Sequence, residues 1–186
     1  ARRSCIIGAR RLLQSRINCI PSEREREQMN ENVVDILIYL YENYMDGEHA
    51  PPTDQHELRD ELIQAGFPST EISKAFDWLD ELAENAQDQQ HDTRQSHSLR
   101  IFTEEETTRL DVDSRGLLMF LEQNEILTLA ARELVIDRAL ALDTAVITEE
   151  ELKWIILLVL MNQPGQEAAF ARMEDMVYNE APVFLH

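Results

Sequence analysis

Glycine, cysteine and aromatic residues are scarce in this chain. It has five glycines in 186 residues, and 6% of the chain is aromatic. So little glycine argues against phosphate-cradling loops and against a turn-rich all-β fold. The two cysteines, Cys5 and Cys19, lie near the start, so the rest of the chain holds neither a disulfide nor a thiolate metal site. Long apolar runs are missing as well. The longest, Trp154 to Met161, falls far short of the ~18–20 residues a membrane helix needs. No Walker loop, GxGxxG, GxSxG or HExxH occurs, and no histidine pairs with another at the i+4 spacing. Neither a cofactor nor a metal is expected, and the absence of motifs points away from an enzyme.

Acidic side chains are abundant: 36 against 17 basic ones, a formal net charge of −19. The imbalance is uneven. Residues 1–28 carry seven arginines against three glutamates, and residues 29–186 carry a net −23. The first segment is Arg-rich and places Ile6, Leu13, Ile17 and Ile20 on one helical stripe, as an organelle presequence does. An extension ahead of a start at Met29 is the other reading. It is favoured because Met29 opens the first well-patterned segment, so 1–28 is expected to lie outside the fold. A body this acidic is repelled by anionic membranes and nucleic-acid phosphates, and a cytosolic protein is expected.

The periodicity predicts an all-α fold. Val33, Leu37, Leu40, Tyr41 and Tyr44 form one helical face, ended by Gly47 and Pro51-Pro52. Asp54 and Glu57 have capping-box spacing, Gly66 suits a left-handed cap, and a third helix follows Pro68 with Ile72, Ala75, Phe76, Leu79 and Leu82 inward. Residues 29–85 therefore read as a three-helix, helix-turn-helix-like module. Residues 86–98 read as a polar linker and 99–186 as a helical bundle. Leu99 to Phe102 is the one candidate short strand or extended arm.

Thr103 with Glu106 and Thr148 with Glu151 form two further capping boxes, so their Glu-Glu-Glu runs read as helix starts rather than catalytic clusters. Asp111-Val112-Asp113 falls between helices and reads as cap chemistry rather than a metal site. Arg115 to Glu122 is apolar nearly all round and predicts deep packing. Residues 129–142 place Leu129, Leu134, Val135, Ala139 and Leu142 inward, with Glu133 and Arg138 outward. The apolar run after Thr148 is assigned to a central helix by its cap and by the Pro164-Gly165 stop, and a last helix runs from Gln166 to about Glu180.

Four arginines, Arg94, Arg100, Arg109 and Arg115, frame the extended arm and are the candidate partner-binding residues, either as a nucleic-acid patch or as ion-pair partners of nearby acids. The third helix begins Ser69-Thr70-Glu71 and continues through Asp77, Asp80, Glu81 and Glu84, which disfavours major-groove reading. The expected role is a non-enzymatic, acidic interaction protein for a basic protein partner, with nucleic-acid binding as the alternative.

Several blocks in order, NVVDILIYLYENYM, SLRIFTEEETTRLD, RGLLMFLEQNEIL, LKWIILLVLMNQPG and the terminal Leu185-His186, resemble the bacterial Smg protein family from Met29 to the end. The resemblance implies a small acidic cytosolic protein and brings no activity with it. Genes of the family tend to lie beside DNA-processing genes, which suggests a partner among nucleic-acid-processing factors. Separately, residues 61–82 are similar to the three-helix repeats of RecX, which regulates a recombinase.

Overall fold

The computed structural model describes residues 32–45, 54–88 and 100–178, all within one compact unit, Asn32–His186. Among these residues lie eight α-helices and no strand: α1 (Val33–Leu40), α2 (Gln55–Ala65), α3 (Ser69–Asp88), α4 (Glu104–Arg109), α5 (Val112–Gln123), α6 (Leu129–Leu140), α7 (Glu149–Met161) and α8 (Glu167–Tyr178). The fold is all-α. Residues 1–31, the Gly47 and Pro51-Pro52 stop, most of the expected linker and the last residues of the chain fall outside the described residues.

α7 is the centre. Thr148 and Glu151 exchange capping bonds at its start, and Leu152 together with Ile155 through Leu160 is buried. A helix apolar all round needs neighbours all round; α1, α5, α6 and α8 supply them. α1 starts on the reciprocal cap between Asn32 and Asp35. It buries Val34 and Ile36 in addition to the expected Val33, Leu37 and Leu40, because α3 covers one side and α7 another. A five-residue π-helical turn, Tyr41–Met45, extends it. Val33, Ile72, Leu118, Val135, Ile156 and Met173 all belong to one hydrophobic cluster, so residues on both sides of the polar segment enter the same core.

α2 is capped by Asp54, which accepts from the His56 N–H at 3.0 Å. The expected partner, Glu57, does not close a box. Gly66 ends the helix at φ +110°, with Phe67 N–H bonding Leu62 O and Gly66 N–H bonding Ile63 O, both at 3.1 Å. That pair of bonds is the Schellman arrangement. Gly66→Ala should therefore cost about 1 kcal/mol in urea unfolding, since an L side chain strains that backbone; an unchanged midpoint would contradict the assignment.

Two details differ from the sequence expectation. α3 runs through Asp88, so positions 86–88 are helical rather than linker. α5 is not deeply packed: Leu118 and Leu121 are its only buried large apolar side chains, while Val112 and Met119 are exposed. Its apolar content exceeds the area that neighbouring helices cover. Arg100 to Phe102 has no regular secondary structure and joins no ladder, and Leu99 lies outside the described residues. The isolated bridge among the described residues joins Leu110 to Ile147.

Candidate functional site

The arm enters α4 through Thr103, whose hydroxyl accepts from Glu106 N–H while the Glu106 carboxylate accepts from Thr103 N–H at 2.8 Å. Glu106 thereby turns back toward the arm and meets Arg100. The Arg100 guanidinium donates to both oxygens of Glu106, at 2.9 and 2.8 Å, and to both oxygens of Glu133 on α6, at 2.7 and 2.8 Å. Two-pronged contacts to two carboxylates occupy most of the guanidinium donors, and the Arg100 side chain is only 15% exposed. Arg100 holds the Glu106 carboxyl down to about 2, against partial burial, and is also the main cause of the lowered Glu133 value.

The alternation of charge continues. Glu133 also accepts from Arg132, at 3.0 and 2.6 Å, and Arg132 pairs with Glu122 of α5. The line Glu106, Arg100, Glu133, Arg132, Glu122 thus fastens the arm, α4, α5 and α6 to one another. Arg109 is used differently: its guanidinium donates to the carbonyls of Leu140, at 2.8 Å, and Leu142, where α6 ends. A cation there also suits the negative end of the helix. Arg115 lies over the Phe102 ring at 5.9 Å, with Arg100 over the same ring at 5.0 Å. Among the described residues, Arg115 makes no ion pair within 4 Å of a carboxylate. Arg94 lies outside the described residues, so of the expected arginines the structure brings Arg100 and Arg115 together at Phe102 and sends Arg109 to the end of α6.

Arg138, expected outward, is buried at 6% exposure. Its guanidinium pairs with Glu81 of α3 at 2.6 Å and with Asp137 at 2.8 Å, and its carbonyl accepts from the Trp78 indole at 2.9 Å. Burial pulls its pKa down, but the bonds to Glu81 and Asp137 outweigh that and raise it. A long aliphatic stem lets the residue pass through apolar surroundings to a charged tip, which the outward reading of a charge did not allow for. Arg132 was missed for the same reason, and no local spacing announces Glu122 or Glu81 as partners.

The remaining candidates are modest. Asp111 caps α5, accepting from Ser114 N–H at 2.7 Å, and this bond lowers its pKa; Asp113 falls in the first turn. Of the histidines, His56 alone is described, exposed on α2. No group of three or more His, Cys, Asp or Glu among the described residues could hold a metal ion. A shallow cavity of about 160 Å³ lies beside Lys74, Trp78 and Asp143, below the ~300 Å³ typical of small-molecule sites. Lys74 bridges Glu71 and Asp143 there, at 3.1 and 2.9 Å. The outer faces of α2 and α3 contrast with this paired half: Glu57, Asp60, Asp77, Asp80 and Glu84 are exposed and make no ion pair among the described residues. None of the described helices is long and apolar enough to cross a membrane.

Residues 33–186 match the family described as "Protein of unknown function (DUF494)". The chain is 51% identical over 158 residues to the Protein Smg homolog of Methylococcus capsulatus, covering 85% of this chain and 100% of that protein. The chain belongs to the Smg family. The Smg homologs of Thioalkalivibrio sulfidiphilus and Nitrosococcus oceani are 47% and 49% identical, with the same coverage. These matches carry the Smg resemblance and say nothing for the RecX-type one. No solved structure matches.

Proposed function

We propose that the protein is a non-enzymatic, cytosolic interaction protein whose acidic surface docks a basic protein partner, in keeping with a role beside nucleic-acid-processing factors. One observation carries this reading: the sorting of charge. In the half around α4 to α6, Arg100, Arg132 and Arg138 are taken up by carboxylates, whereas Glu57, Asp60, Asp77, Asp80 and Glu84 on the outer faces of α2 and α3 make no ion pair among the described residues. Unpaired, exposed carboxylates attract a cationic surface without first giving up internal bonds. The face of α3 that a groove-reading helix would turn to DNA carries Asp77, Asp80 and Glu84, which phosphates repel. Of the described arginines that would form a nucleic-acid patch, Arg100 and Arg109 are occupied, so among the described residues that alternative rests on Arg115.

Affinity purification of the full chain from source-cell lysate, with nuclease, tests the proposal. A protein partner should be retained at about 0.1 M salt and released at about 0.5 M, as screening shortens the reach of the charges. The double substitution Asp77→Lys, Asp80→Lys should abolish retention. A complex indifferent to salt, or recovery of nucleic acid that disappears with Arg115→Glu, would overturn it.

A further inference from the structure

α2 is built unlike every helix it is attached to. Of its eleven residues eight are exposed, and Leu62 alone is buried. α7, by comparison, buries seven of thirteen. Among the described residues, the backbone hydrogen bonds of α2 are internal or go to its own caps. Among the described residues, a short set of side-chain contacts holds α2 and its C-terminal turn in place. Leu62 is seated in the core, and Leu58 and Phe67 pack partly buried against it. The Arg59 guanidinium lies 5.7 Å over the Phe76 ring of α3, and Phe67, just past the helix, meets Tyr39 of α1 edge-on at 5.5 Å. The Tyr44 hydroxyl donates to Glu61. On the C-terminal side the helix meets α3 through the turn at Gly66.

We propose that α2 is a detachable strap: it leaves α1 and α3 and unwinds while the core around α7 stays folded. Eleven residues are too few for a helix to persist alone in water, so undocking and unwinding are one event. Elements with few buried apolar contacts open at lower free energy than the core they cover. The opened state bares the Leu62 side chain and uncovers the Phe76 ring, creating an apolar surface that the closed form hides.

Hydrogen exchange of the full chain, read by mass spectrometry, tests this. Amides of residues 59–65 should exchange at least about 100-fold faster than those of residues 155–160 in α7, relative to their intrinsic rates. Leu62→Ala should speed the α2 amides a further ten-fold or so without changing α7. Tyr44→Phe, which removes one surface tether and no core volume, should act in the same direction more weakly and serves if Leu62→Ala does not fold. Equal protection of α2 and α7 in the unmodified protein would overturn the proposal, as would a variant that speeds both by the same factor, since α2 would then open only when the whole protein unfolds.

Discussion

Arg100→Ala should lower stability by about 3 kcal/mol, read as a fall in the urea midpoint at neutral pH. Removing one member of a buried ion pair leaves the other charged and without its partner. Here that charge is Glu106, at 7% exposure, whereas Glu133 is half exposed and keeps its bonds from Arg132. Arg100→Lys should recover only part of the loss, because an ammonium cannot present a fork to two carboxylates at once. Acid supplies a second reading of the same contact. The Glu106 carboxyl is held at about 2 in the folded protein against an ordinary value of 4.5. A depressed carboxylate contributes stability that is fully present above the ordinary value and disappears as pH falls toward the folded one. The protein should thus lose stability between about pH 4.5 and pH 2, and in Arg100→Ala that part of the acid dependence should flatten. A variant with the same midpoint and the same acid profile would show that the contact contributes nothing.

Ile156→Ala, in the middle of α7, should cost about 3–4 kcal/mol, the range for emptying a well-packed aliphatic site. Ile156 is fully buried. The more informative measurement is where the damage is felt. Two tryptophans report on the two sides of the polar segment: Trp78 on α3, and Trp154 on α7 with Tyr41 and Tyr178 edge-on against it. In single-tryptophan variants both probes should shift by the same amount, because α1 packs against α3 and α7 at once. A Trp78 transition that stayed in place while that of Trp154 moved would mean that the helices on either side of the polar segment fold as separate bodies.

What could be read from the sequence was what local chemistry writes. The boxes at Thr103 with Glu106 and at Thr148 with Glu151 are reciprocal bonds over three residues, and both form. Gly66 was legible because few residues other than glycine accept its backbone angle. The apolar run after Thr148, ambiguous between helix and strand, was decided correctly by its ends. The candidate site was legible only as a set of arginines. Arg100 finds Glu133 thirty-three positions away, and Arg138 finds Glu81 across fifty-seven. Spacing carries no trace of such pairs. The same limit explains α5, where the apolar residues of Arg115 to Glu122 were counted as though each had a neighbour to cover it, when Met119 at 37% exposure does not.

Asn32 makes a bond that ties the start of α1 to the start of α7. Its side chain caps α1 and also donates to Glu151 of α7, 119 positions later, at 3.0 Å. During synthesis the side of α1 that faces α7 emerges from the ribosome long before that helix does. With elongation at roughly 5–20 residues per second, the interval is several seconds or more. Val34, Ile36 and Leu37 spend that time exposed or in temporary company. The nascent chain is consequently a better client for a chaperone than its small finished form would suggest, and its native core closes only when nearly all of the sequence has been made.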